Sequence, residues 1–194
     1  MKVKTLITIL FIVLCFSGFS QNLPGVVMKT SLGNITCEID TVHAPVTAHN
    51  FLNHIKLNTY SDAVFYRVVR MDNQPVSKVK IEVIQGGLYA DENIDRQPTI
   101  PHETTKVTGL KHLDGTISMA RNTPGTASTE FFICVGDQPE LDFGGRRNGD
   151  GQGFAAFGKV IEGMDVVRKI QLQKDTSQYL VEPVKILKME ITGK

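Results

Sequence analysis

The sequence predicts a mainly β protein, a closed eight-stranded antiparallel barrel capped by two helices. Three observations carry that expectation: about eight short runs of strand character, only two segments of helical period, and Gly- and Pro-rich turns between them.

Residues 26–31 and 35–40 flank Leu32-Gly33-Asn34, and Ile35, Cys37 and Ile39 alternate with Thr36, Glu38 and Asp40. That pattern is a hairpin with one wet face. Residues 45–56 follow with helical period, since Ala48, Phe51, Leu52 and Ile55 fall at i, i+3, i+4 and i+7. Pro45 sits in the first turn, where its missing N–H costs nothing. The run 64–69 divides into Val64/Tyr66/Val68 on one face and Phe65/Arg67/Val69 on the other. Further strands are expected at 79–84, 116–119, 130–135, 154–160 and 184–191, with a shorter helix at 163–170.

Composition excludes several classes. With 21 Lys+Arg against 20 Asp+Glu, the chain lacks the basic surplus of a nucleic-acid or anionic-membrane binder. At 41% hydrophobic and net charge +1 it does not resemble a disordered chain. Its 194 residues are enough for one core without staples. There is no Trp.

Residues 1–20 read as an export signal: Lys2 and Lys4, an apolar run over 6–16, and the small residues Gly18 and Ser20 before a cut at Gln21. A membrane anchor is the alternative, but the run is well short of the ~20 apolar residues that span a bilayer. Lipid attachment at Cys15 is opposed by the bulky Leu14 before it. The expected organisation is a signal peptide, 1–20, and one domain, 21–194, periplasmic or secreted after cleavage near Ser20. No later run approaches spanning length. Cys37 and Cys134 then remain in a compartment that permits disulfides. Their spacing says nothing about pairing geometry, and two buried free thiols are favoured over a bridge.

Most catalytic motifs are missing. Gly149, Gly151 and Gly153 alternate, and Gly86-Gly87 follows a strand, but neither stretch has the Lys-Ser/Thr or the following helix of a phosphate loop. They read as turn chemistry. His49 and His54 are off the i, i+4 spacing of a metal pair, and His102-Glu103 lacks the second His of a zinc protease. No Cys-x-x-Cys or Gly-x-Ser-x-Gly is present. Arg67 stands out instead, as a guanidinium inside an apolar strand that needs either a structural partner or a purpose.

The phrases around Arg67 are specific. Phe65-Tyr66-Arg67-Val68-Val69, Ile84-Gln85-Gly86-Gly87, Gly115 through Arg121, Ser128 through Ile133 with Leu141-Asp142, and Phe157 through Met164 resemble, in order and spacing, the cyclophilin family of peptidyl-prolyl cis-trans isomerases. The likeness runs from about Val26 to Ile191, and the stretch from His102 to Ile117 looks most like the bacterial, exported branch. The fold of that family, an eight-stranded barrel closed by two helices, agrees with the strand count above.

The resemblance implies a substrate class and a mechanism. Rotation about an X-Pro bond is blocked by amide resonance, a barrier of about 18–20 kcal/mol, and is slow without a catalyst. No bond breaks, so neither metal nor cofactor is required. In the twisted amide the prolyl nitrogen regains its lone pair, and an always-charged Arg can donate to it. By resemblance Arg67 takes that role. Gln85 would hold the Arg or the peptide backbone, Phe132 and Leu141 would wall the proline pocket, and Ala120-Arg121 would line the bound peptide. The partners implied are proline-containing polypeptides, with the protein acting as a monomer in the folding of exported chains.

The chain departs from the family pattern at five positions. Glu82-Val83 replaces the usual Phe-Met, Glu130 the usual Gln, Glu140 a frequent Trp, and Phe154 the usual His. The link over residues 70–80 is also longer than the family norm. Two readings follow. In one, isomerisation survives, with Phe154 replacing lost aromatic surface. In the other, Glu130 pairs with Arg67 and competes for its donors, leaving a non-catalytic proline-peptide binding module or holdase. Glu82, Glu130 and Glu140 around one groove would favour substrates with Lys or Arg near the proline.

Overall fold

A computed structural model describes residues 22–193. The leader expected at 1–20 lies outside those residues.

The chain runs β1 (Gly25–Thr30), β2 (Gly33–Ile39), α1 (Pro45–Lys56), β3 (Val64–Val69), β4 (Val83–Gly87), α2 (Asp91–Ile94), α3 (Thr105–Thr108), β5 (Thr116–Met119), β6 (Phe131–Cys134), β7 (Ala155–Glu162), α4 (Met164–Gln171), β8 (Asp175–Thr176) and β9 (Tyr179–Thr192). The sheet order is β1-β2-β7-β5-β6-β4-β3-β9, with the two-residue β8 appended to β9. A further ladder, from Gly25↔Thr192 to Thr30↔Ile186, joins β1 to β9. That ladder closes eight antiparallel strands into a barrel and removes the open edges.

The barrel is filled by the inward face of each strand. Met28, Ile35, Ile39, Phe65, Ile84, Ile117, Met119, Phe131, Ile133 and Phe157 are all wholly buried. Phe51 of α1 closes the core, with its ring 5.4 Å from Phe131 and 5.1 Å from Phe157. Truncating such a side chain to Ala costs about 3–5 kcal/mol. Cys37 and Cys134 are both buried and free, and burial pushes both thiols far above the ordinary cysteine range.

Several elements differ from expectation. The strand expected over 79–84 begins at Val83 and runs on to Gly87. The backbone at Ile81 is instead held by a side chain, with Gln74 Nε2 donating to its carbonyl at 2.7 Å and Ile81 N donating back to Oε1 at 3.3 Å. Two short helices, α2 and α3, join the expected pair, α1 and α4. Finally, the strict alternation read over 64–69 fails, because the β3 ladder shifts register between Phe65 and Arg67. This bulge at Tyr66 turns Phe65 into the barrel and leaves Arg67 and Val69 outside it.

Candidate active site

Outside the barrel wall, β3, β4 and β6 carry a second apolar cluster: Val69, Ile81, Val83, Phe132, Cys134 and Leu141, with Ala120 and Phe154 against it. Ile81, Val83, Phe132 and Leu141 of this cluster, with Ala120 and Phe154, form the floor of a cavity of about 480 Å³. Arg67, Val83, Gln85, Ala120, Arg121, Glu130, Phe132, Leu141 and Phe154, the nine residues singled out from the sequence, all line it.

The floor is rigid. Phe132 meets Phe154 edge-on at 5.3 Å and stacks on the buried His112 at 5.9 Å. His112 is fixed in turn, with Nδ1 2.8 Å from Asp142 Oδ1 and Nε2 3.0 Å from Ser118 Oγ.

Arg67 is held by amide oxygens alone. Nη1 donates to Gln85 Oε1 at 2.9 Å, while Nε and Nη2 donate to Gln178 Oε1 at 3.1 and 2.6 Å. Gln178 lies in the turn between β8 and β9, where Ser177 and Gln178 have φ of 52° and 77°. A two-residue hairpin turn with both φ positive matches the twist of its strands. Its surroundings fix it further: Asp175 Oδ2 accepts from Gln178 N at 3.0 Å, and Gln178 Nε2 donates to Asn73 O at 3.2 Å. Asn73 belongs to the long link over 70–80, so that segment supports the partner of Arg67.

The polarity of Gln85 is set from behind. Tyr66 OH donates to Glu130 Oε2 at 2.6 Å and accepts from Gln85 Nε2 at 2.7 Å, which turns Gln85 Oε1 toward Arg67. Glu130 is buried against Gly87, where a Cβ would collide with its carboxylate. Burial raises its pKa above the usual glutamate range, against the opposing bonds from Tyr66 and Leu88 N. The Glu130–Arg67 ion pair of the second reading is therefore not among the contacts of the described residues, because both Glu130 oxygens are engaged by Tyr66 and the Leu88 amide.

Arg121 is bound differently. Its side chain is fully buried, bidentate to Asp150 at 2.7 and 3.0 Å, donating to Gly153 O, and 5.2 Å over the Phe154 ring. Those bonds pull the Asp150 carboxyl down to about 2.

Residues 25–191 match the family of cyclophilin type peptidyl-prolyl cis-trans isomerases. The chain belongs to that family. A peptidyl-prolyl cis-trans isomerase of Acinetobacter baylyi is 36% identical, covering 84% of this chain and 83% of the relative. Isomerase A of Dickeya dadantii is 35% identical over 75% of this chain and 70% of its own. Isomerase B of Escherichia coli is 33% identical over 75% and 83% respectively. A solved cyclophilin type isomerase of Cryptosporidium parvum superposes with a TM-score of 0.70 over 89% of this chain and 99% of its own, at 21% identity, a likeness of fold.

In this cyclophilin two of the three acids are not where the sequence put them. Glu82 and Glu140 do not line the cavity, and Glu140 is tied to Arg146 at 2.6 Å. The carboxylates that do line it, besides Glu130, are Asp91 of α2 and Asp95 just after it. Sequence reasoning also missed Tyr66, Gln178 and Arg147. Tyr66 reads as an ordinary strand aromatic, and Gln178 sits in a turn without glycine. Arg147 is hidden in a glycine-rich loop, although its exposed neighbour Arg146 could be set aside by its pairing with Glu140.

Proposed function

We propose that this cavity is the isomerase active site and that Arg67 is its catalytic residue, acting on exported polypeptides after a leader over residues 1–20 is removed. The observation that carries the reading is a guanidinium oriented by two glutamine oxygens above an apolar floor, with no carboxylate within ion-pair distance among the described residues.

Val83, Phe132, Leu141 and Phe154 take the proline ring, and the small Ala120 leaves room for the chain. As the X-Pro carbonyl turns out of conjugation, the prolyl nitrogen pyramidalises and becomes an acceptor. Arg67 retains an N–H on Nη1 and on Nη2 beyond its glutamine bonds, and donates to that lone pair. The planar amide offers no such acceptor, so the interaction strengthens only in the transition state. Gln85 and Gln178 act as positioning residues, and Glu130 acts through Tyr66 and Gln85. Arg121 holds the 148–153 loop against Phe154. The protein works as a monomer.

The test is exchange of a prolyl tetrapeptide in a protease-coupled assay. Acceleration by wild type that Arg67→Ala removes is expected; peptide binding without acceleration would establish the binding-module reading instead. For export, the amino terminus of protein recovered from a producing bacterium should begin at Gln21, and an intact Met1 on the folded protein would contradict it.

A further inference from the structure

Arg147 is the guanidinium that the isomerase chemistry leaves unexplained. Arg70, Arg121, Arg146 and Arg168 each meet a carboxylate within ion-pair distance. Arg67 and Arg147 meet only neutral acceptors among the described residues, and both line the same cavity.

Arg147 is also pinned in place. Its Nη1 reaches Gln74 Oε1 at 3.0 Å, Ser77 Oγ at 2.6 Å and Val79 O at 2.6 Å. Gln74 is itself buried and clamped, with Nε2 donating to Arg70 O and Ile81 O at 2.7 Å each. The long link over 70–80 thus fixes one corner of the guanidinium. Nε and Nη2 have no partner among the described residues, so one edge of a planar fork that suits carboxylates is left free.

The charge of that corner is not offset. Burial, and then the neighbouring charge of Arg67, both act against the cationic form of Arg147. The acids of the cavity lie elsewhere. Glu130 is engaged by Tyr66 and Leu88, and Asp91 and Asp95 follow the Gly87 end of β4, whereas Arg147 bonds to the segment that precedes Val83. Four strand steps of roughly 3.3 Å separate those two ends.

We propose that Arg147 is a specificity-determining residue that binds an Asp or Glu side chain of the substrate close to the proline, directing isomerisation toward acid-flanked X-Pro bonds. The proposal rests on the Arg67 cavity being the proline site, and it replaces the cation preference expected from Glu82, Glu130 and Glu140.

A set of prolyl tetrapeptides carrying Glu, Gln or Lys at each non-prolyl position tests it through kcat/KM. At one position the Glu peptide should exceed the Lys peptide about tenfold at low ionic strength, and the ratio should shrink as salt is added. Arg147→Gln should bring that ratio to about one, and Arg147→Glu should invert it. Because the readout is a ratio, any loosening of the 74–79 anchor affects both peptides alike. A wild-type ratio near one at every position, or a ratio unchanged in Arg147→Gln, would overturn the proposal. The Gln peptide separates the two levels. If wild type accelerates it and Arg67→Ala does not, the active site stands even where the Glu/Lys ratio is flat; if no peptide is accelerated, both readings fall.

Discussion

Two guanidiniums of the same cavity are used in opposite ways. Arg121 is buried, bidentate to Asp150, bonded to Gly153 O and laid over Phe154. Its charge is matched in the ground state, so it acts as a bracket for the 148–153 loop. Arg67 is oriented just as firmly, yet by the neutral oxygens of Gln85 and Gln178. Amide oxygens fix direction without cancelling charge, and on the proposed reading the uncompensated charge is left for the twisted amide. In the proposed mechanism, orientation by neutral acceptors is the device that makes an arginine available for catalysis in a pocket that also contains a carboxylate.

That contrast can be broken from either side. Arg67→Ala should lower kcat/KM by about 10²–10³-fold, the usual loss when a transition-state donor is removed, with the thermal midpoint little changed. Gln178→Glu should convert Arg67 into an arginine of the Arg121 kind, since an isosteric carboxylate would pair with it. A fall of roughly tenfold or more in kcat is expected, with KM nearly constant; an unchanged kcat would show that neutral orientation is irrelevant. Arg121→Ala should act mainly on stability, by about 1–3 kcal/mol in denaturant unfolding, because it leaves the carbonyl of the buried Gly153 without its donor. If it removed activity at full stability, the bracket role would be wrong.

The smallest effect concerns Glu130. Burial holds its carboxyl above the usual glutamate range in the folded state, so the native protein binds that proton more tightly than the unfolded chain does. Its contribution to stability is then present at low pH and is lost as pH rises from the ordinary glutamate value through the raised native one. Glu130→Gln should flatten the thermal midpoint across that window, and parallel wild-type and variant profiles would contradict the assignment.

The barrel was legible in the sequence because its signals are local. Alternation in 35–40 and the period of 45–56 need no distant partner to be read, and β2 and α1 sit there. The floor of the site was legible only through family resemblance, which pointed to Phe132, Leu141 and Phe154. What stayed hidden depends on tertiary register. The bulge at Tyr66 reverses the face assignment of Phe65, and Gln178 reaches Arg67 across 111 residues of chain from a turn without glycine. Glu130 misled for the same reason: its nearness to Arg67 in the cavity could be inferred, but its commitment to Tyr66 and the Leu88 amide could not.

The central claim is that Arg67 acts on the twisted amide more than on the bound peptide. Nuclear magnetic resonance on one prolyl peptide gives both quantities, affinity from a titration and cis-trans exchange from line shapes. For Arg67→Ala the account predicts affinity within a few-fold of wild type and an exchange rate about 10²–10³-fold lower. Equal losses in affinity and exchange, or exchange that persists without the guanidinium, would contradict it.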